Sequence, residues 1–309
     1  MAFDNIEQRI LEEVAEIHKV PTGAYNIRYN GASQSRNSTE NIVITSKEDG
    51  SGIDITIKEG TVNETCCIPV VIAKTGLKET VKNDFFIGDN CDVQIVAGCG
   101  IHNCGNQDSE HSGIHRFFVG KNSKVKYVEK HYGEKADGQT GGAIMNPSTE
   151  VYLEEGSYLE MESTQIRGID STRRYTKAVV KENASLVVKE RLLTNGTQFA
   201  ESSMDAELIG EGASANLISR SVATDSSRIS FKSNIIGKAA CHGHTECDSI
   251  IMDDAKILAV PALDAVHPDA SLIHEAAIGK IAGEQLIKLQ TLGLTEEEAE
   301  AAIIDGFLK

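Results

Sequence analysis

The sequence predicts a mainly β protein: a right-handed parallel β-helix with two strands per coil and helical segments at its N- and C-termini. Three observations carry this. A single pattern recurs through the middle of the chain, a polar turn followed by a small residue and then alternating apolar positions. The alternation has period two with no helical stretch between repeats, which distinguishes strand coils from leucine-rich or helical arrays. The two ends, by contrast, space their apolar residues with helical period.

Taken in order, residues 4–18 place Ile6, Ile10, Val14 and Ile17 on one face of an amphipathic helix, and residues 1–30 form this helix and a linker. Residues 31–275 form the solenoid. The pattern appears as DNCDVQI (89–95), KNSKVKY (121–127), EGSYLEM (155–161), ENASLVV (182–188), EGASANL (211–217), DDAKILA (253–259) and PDASLIH (268–274). The small residues Cys91, Ser123, Ser157, Ala184, Ala213, Ala255 and Ala270 are separated by 32, 34, 27, 29, 42 and 15 positions. A half-coil of about 14 residues fits these spacings, with short insertions in the first two. Weaker strands at 148–156 and 174–182 fall between the marked ones. A fixed period of this size is the mark of a solenoid, with the small residue at a tight corner. From 276 to 309 the chain turns helical. Ile278, Ile281, Ala282, Leu286 and Leu289 share a helical face, Gly293 suits a stop, and Thr295 with Glu298 forms a capping box for a second helix.

Composition excludes several classes of function. With 30 Lys+Arg against 46 Asp+Glu the net charge is −16, which repels nucleic acid and anionic membranes. Tryptophan is absent and aromatics are 5%, too few to build stacking platforms for sugars or single strands. No apolar run approaches the length of a membrane-spanning helix and the start is acidic rather than signal-like, so the expected location is cytoplasmic. An odd seven cysteines argue against a disulfide framework.

Candidate chemistry concentrates between Cys241 and Leu286. Cys241, His242, His244 and Cys247 lie close together in the sequence, and thiolates beside imidazole and carboxylate suit transition-metal or iron–sulfur chemistry. Glu275 follows Cys247 by two half-coils, so the repeat predicts that the two stack on neighbouring rungs of one face. The alternation in PDASLIH instead turns Glu275 outward, and the same register buries His242, His244 and Glu246. Upstream, Cys99, His102 and Cys104 lie in AGCGIHNCGNQ, whose glycines suggest a loop able to clip a metal, and His111 and His115 read as structural. Neither a phosphate-binding loop, a dinucleotide fingerprint nor a serine elbow is present, so any ATP hydrolysis must come from a partner.

The run GHTECDSIIMDDAKILAVPALDA, followed by HEAAIGKIAGEQL and LGLTEEEAEAAIIDGF, resembles the SufB/SufD family of scaffold proteins of SUF-type iron–sulfur cluster assembly. The likeness continues upstream through AGCGIHNCG, SGIHRFFVGKNSKVKYVEKHYG, ERLLTNG and SRSVATDSSRISF and covers residues 85–309, closest to the short archaeal-type SufB-like form. It implies a β-helix flanked by helices and a non-catalytic scaffold that works as a homodimer joined through its late coils. It also implies docking of a SufC-type ABC ATPase on about 277–309, iron and sulfur donors upstream, and apo iron–sulfur proteins as recipients. The cysteine of the family's CDS motif is Cys247 here and the glutamate of its HEA motif is Glu275. Together they imply an iron–sulfur cluster, [4Fe-4S] favoured, at the dimer interface. His242, His244, His274, Cys241, Cys99 and Cys104 stand as residues that could support these ligands or relay sulfur. The alternatives are a SufD-like accessory subunit without its own cluster and a metal-dependent β-helix enzyme.

Overall fold

The computed structural model describes residues 5–16 and 21–308. Two sheets face each other and the chain alternates between them, completing a parallel β-solenoid of about eight coils. The first sheet runs from the antiparallel pair Ala24–Tyr29 and Ala32–Asn37 to the edge strand Ser271–Gly279. The second runs from the antiparallel pair Ile42–Ser46 and Gly52–Ile57 to the edge strand Lys256–Ala265. The antiparallel pairs close the start of the solenoid, whereas among the described residues both final strands are unpaired along one side.

The corners explain the repeat. At Asn90, Asn122, Gly156, Asn183 and Gly212 the backbone takes positive φ, between 53° and 69°, a region open to Gly and tolerated by Asn. The next residue turns into the core, where only a small side chain fits, and Cys91, Ser123, Ser157, Ala184 and Ala213 are all buried there. Cys241 is the same corner residue one coil on, and Ala255 marks the opposite corner. From each corner every second residue points inward. Ile, Val and Leu fill the interior on successive rungs, with Phe85 stacked on Phe117 at 4.4 Å.

The N-terminal helix α1 (Asn5–Ala15) lies across the outer face of the first sheet. Ile10, Leu11 and Val14 pack there with Tyr25, Ile27, Val71 and Tyr132. Ile17 lies outside the described residues. The AGCG segment is strand, within Asp92–Asn103, and not a loop. Its glycines serve the helix: a Cβ on Gly98 would sit 2.6 Å from the Val14 carbonyl oxygen, and one on Gly100 would sit 2.0 Å from Ile10 Cγ2.

At the other end Ile278 belongs to the edge strand, and α2 (Gly283–Thr291) begins later than its apolar spacing suggests. Gly293 takes positive φ after α2, and α3 (Glu296–Leu308) opens on the expected capping box, with Glu298 N–H donating to Thr295 Oγ1 and Thr295 N–H to the Glu298 carboxylate. Helix α2 buries no residue, and Ile287 and Leu292 are exposed. Leu258, Val260, Ile273 and Ile278 on the edge strands are exposed too, and Pro261 interrupts the N–H row of the strand Lys256–Ala265. No described helix is long and apolar enough to cross a membrane.

Gly100→Val is expected to lift α1 off the sheet at a cost of about 1–3 kcal/mol. Hydrogen exchange checks this: amides of α1 should lose protection while the solenoid strands keep theirs.

Candidate functional site

The mid-strand inward positions of the first sheet are polar. One register row runs Glu129, Ser163, Glu190, Ser219, Cys247, and the row beside it runs Cys99, His131, Gln165, Leu192, Ser221, Ser249. All of these are buried. Cys99 and Cys247 thus stand in adjacent interior rows, separated by five rungs, or roughly 24 Å at the usual strand spacing.

Charge in this interior is paired. Arg174 reaches from the second sheet and donates to Glu129 at 2.6 Å and to His131 Nδ1 at 3.2 Å, and its Nε lies 3.3 Å from Glu190. Ser202 donates to Glu190 at 2.9 Å. Tyr127 donates to Glu129, accepts from His115 Nδ1–H at 2.8 Å, and Asn83 donates to His115 Nε2 at 3.3 Å. The neutral imidazole of His115 is therefore fully used. Burial pushes its pKa down to about 4, against the pull of Glu129. Burial also opposes ionisation of Glu129, but His131 and Arg174 hold it well below the usual carboxylate range. At Glu190 burial wins over Arg174 and the pKa rises. Burial raises both thiols: Cys99 with help from Glu79 and Glu129, and Cys247 against a contact with Ser249. Beside Cys99 lies a cavity of about 20 Å³ lined by His111, His115, Glu129, His131 and Met145, room for about one water.

The terminal coil corrects the expected ligand pair. His242 pairs with Ser271, which makes this coil one residue longer than two average half-coils, so Glu275 pairs with Glu246, and Cys247 pairs with Ala276. Cys247 points inward and is fully buried, whereas Glu275 points outward with 69% of its side chain exposed. They lie on opposite faces and do not form one site within the chain. On the last strand Ala276 is flanked on the inward side by His274 and Ile278, and His274 Nδ1 is buried without a hydrogen-bond partner. His242, His244 and Glu246 face outward, not into the core, because corner parity runs from Cys241. His244 Nε2 meets the Glu275 carboxylate at 3.5 Å, and its Nδ1 bonds Asn216 Oδ1 at 3.0 Å. Cys241 is occupied as a corner residue.

Upstream, Cys99, His102 and Cys104 do not converge. Cys99 faces the core, His102 faces outward onto Glu134, and Cys104 is exposed with its Sγ on the Ala73 carbonyl. Among the described residues no three His, Cys, Asp or Glu side chains already surround one metal position.

A family model, "SUF system FeS cluster assembly, SufBD core domain", matches residues 80–307. An iron–sulfur cluster assembly SufBD family protein of Archaeoglobus fulgidus is 30% identical over 234 residues, 75% of this chain and 61% of that one. One from Methanothermobacter thermautotrophicus strain Delta H is 31% identical over 237 residues, 74% of this chain and 55% of that one. One from Methanocaldococcus jannaschii is 26% identical over 239 residues, 77% of this chain and 74% of that one. The chain therefore spans somewhat more than half the length of the first two.

Arg174→Met leaves two carboxyl groups buried without their cation and is expected to cost about 3–5 kcal/mol at neutral pH. The loss should shrink toward pH 5 as those carboxyls take up protons, which urea unfolding at both pH values measures. His115 predicts a separate slope. Its folded pKa lies below the unfolded one, so the unfolded chain binds the extra proton and stability falls as pH drops from about 6.5 to 4. His115→Gln should remove about 1.4 kcal/mol per pH unit from the slope in that window.

Proposed function

The chain belongs to the SufBD family, and from that premise we propose that it is a non-catalytic scaffold on which an iron–sulfur cluster is assembled. The observation that supports this best is the interior polar band with a buried thiol at Cys99 and another at Cys247. Buried Glu, His, Arg and Ser side chains are costly unless paired, and even a paired network gains little stability over apolar packing, so this band is not explained by stability. Hydrogen-bonding groups on successive rungs stabilise a polar or charged sulfur species in transit. Burial keeps both thiols protonated in this state, so each must gain a partner or solvent before it becomes the thiolate nucleophile. We read Cys99 as the thiol whose thiolate takes a sulfane sulfur from a donor persulfide, the donor's own thiolate leaving, and Cys247 as the thiol at the cluster end. Cys104, exposed in the turn directly after Asp92–Asn103, lies off this line.

The working unit on this reading is a homodimer joined at the open end. Two edge strands with exposed apolar side chains invite a second copy, and such a contact brings two Cys247 and two His274 toward each other under their last rungs. Glu275 comes from the outer face, so a cluster held by Cys247 and Glu275 together requires the edge strand to turn or the partner to supply the carboxylate. The exposed apolar residues of α2 and the acidic start of α3 support reading the C-terminal helices as the docking site for a SufC-type ABC ATPase. ATP-driven movement of that partner then reshapes the open end. The cluster is cargo, passed on to apo iron–sulfur proteins.

Anaerobic co-expression with the ATPase tests the reading. Cys247→Ser and Cys99→Ser should each lower bound iron and acid-labile sulfide about tenfold or more, with Cys67→Ser as the unaffected control. Parent-level sulfide in both variants would overturn it.

A further inference from the structure

We propose that Glu79 and His111 form the proton-accepting pair of Cys99, working across a water-sized cavity that Gly113 keeps open. The inference rests on the reading of Cys99 as a sulfur-receiving thiol and supplies the partner that this thiol lacks. Buried at 2% exposure, Cys99 stays protonated until a base takes its proton.

Cys99 comes from the first sheet and His111 from the second, and both line the cavity of about 20 Å³ between them. Three imidazoles reach this cavity, and two are fully engaged. His115 is held at its two nitrogens by Tyr127 and Asn83, and His131 by Arg174 and Glu129. Glu129, the other charged group on the cavity, is itself paired with Arg174 at 2.6 Å. His111 is held at Nδ1 alone, 3.0 Å from the Glu79 carboxylate. A carboxylate oxygen only accepts, so Nδ1 carries a proton and the neutral ring keeps its lone pair on Nε2. Among the described residues no hydrogen bond reaches that second nitrogen. Glu79 is anchored in turn, with Arg28 donating to its other oxygen at 3.2 Å. Thiol, imidazole and carboxylate thus stand in the order of nucleophile, base and orienting group.

Gly113 lies between His111 and His115 on the strand Ser109–Val119, inward-facing and without a side chain. A Cβ there would sit 3.2 Å from His115 Nε2 and 3.5 Å from His111 Nε2, so both nitrogens border the space that the glycine leaves. Asn83 lines the same cavity, and its Oδ1 is buried without a hydrogen-bond partner. One water there can accept from the Cys99 thiol and donate to His111 Nε2 and Asn83 Oδ1, a full set of bonds for a buried water. Through it the proton moves. The thiol gives its proton to the water, the water gives one of its own to His111 Nε2, and a thiolate and an imidazolium result with no change of oxidation state. Glu79 stabilises the imidazolium and, with Arg28 behind it, is a positioning residue. On the scaffold reading the thiolate then attacks the outer sulfur of the donor persulfide and the donor's thiolate leaves.

Thiol reactivity of the purified full chain tests the pair. The probe is methyl methanethiosulfonate: a thiolate attacks its sulfur, methanesulfinate leaves, and peptide mass spectrometry locates the methylthio group. Cys99 of the parent should react near neutral pH. His111→Gln should slow it about tenfold or more there and move the midpoint of its rate–pH profile upward by about one unit or more, because the thiol then ionises against burial unaided. Glu79→Gln should act in the same direction by about threefold or more, and Gly113→Ala, which fills the cavity, by about tenfold. Cys247, the other buried thiol, should keep its parent rate in all three variants. No label on parent Cys99, parent behaviour in any of the three variants, or a slowing by His111→Gln that leaves the midpoint in place overturns the inference. Acid-labile sulfide after anaerobic co-expression separates it from the scaffold reading. If Cys99→Ser keeps parent-level sulfide while the profiles shift as expected, the pair stands and the relay role of Cys99 falls. If Cys99→Ser loses sulfide while the profiles do not move, the relay role stands and the pair falls.

Discussion

The rung-on-rung hydrogen bonding of the parallel coils fixes everything else in this molecule. Once a corner sets the register of a strand, each of its side chains is committed to the core or to the surface, and to one neighbour above and one below. The backbone leaves no freedom to bring two chosen residues together. The terminal coil shows how sharp this is. A coil shorter by a single residue would stack Cys247 on Glu275; the actual coil puts Ala276 there, and Cys247 and Glu275 fall on opposite faces of the sheet.

Much of the fold was legible in the sequence because corners are chemically conspicuous. A positive-φ Asn or Gly, then a small buried residue, then alternation, can be read without coordinates, and α3 announced itself by its capping box. The register was lost by a single residue, because the half-coil length came from averaging over repeats of unequal length. The signal that would have recovered it was present. Counting by twos from each corner places Glu129 and His131 inward from Ser123, Glu190 inward from Ala184, Ser219 inward from Ala213 and Cys247 inward from Cys241. The polar band is hard to see in the sequence because its strands carry polar residues on both faces. In KYVEKHYG neither parity looks like a core, and only the corner says which is which. AGCG misled for a related reason. Its glycines belong to a strand with a helix lying on it, a tertiary cause that local propensity does not contain.

The interior charges have an energetic side as well as a functional one. Arg174 lies between Glu129 and Glu190, with His131 and Ser202 completing the set, so neither carboxylate is left alone. An apolar replacement of the whole network would be neutral or stabilising on general grounds, while removal of any one member strands the rest. The network is therefore a poor device for stability alone, and it lies between the two buried thiols. The outer face is organised differently: its ion pairs, such as Lys181 with Glu154 and Lys238 with Glu207, are solvent-exposed and contribute little individually.

The two open edges at the end of the solenoid are not equivalent. A proline in an edge strand has its missing N–H on the solvent side, so Pro261 breaks any ladder that a new strand would form along Lys256–Ala265. The strand Ser271–Gly279 carries no such interruption. Template-driven growth of the sheet, whether by a proper partner or by runaway stacking of copies into fibrils, can continue without interruption on one side only. The proline acts as a stop on the side that carries no candidate ligand, and the strand left free to recruit another chain is the one bearing His274 and Glu275.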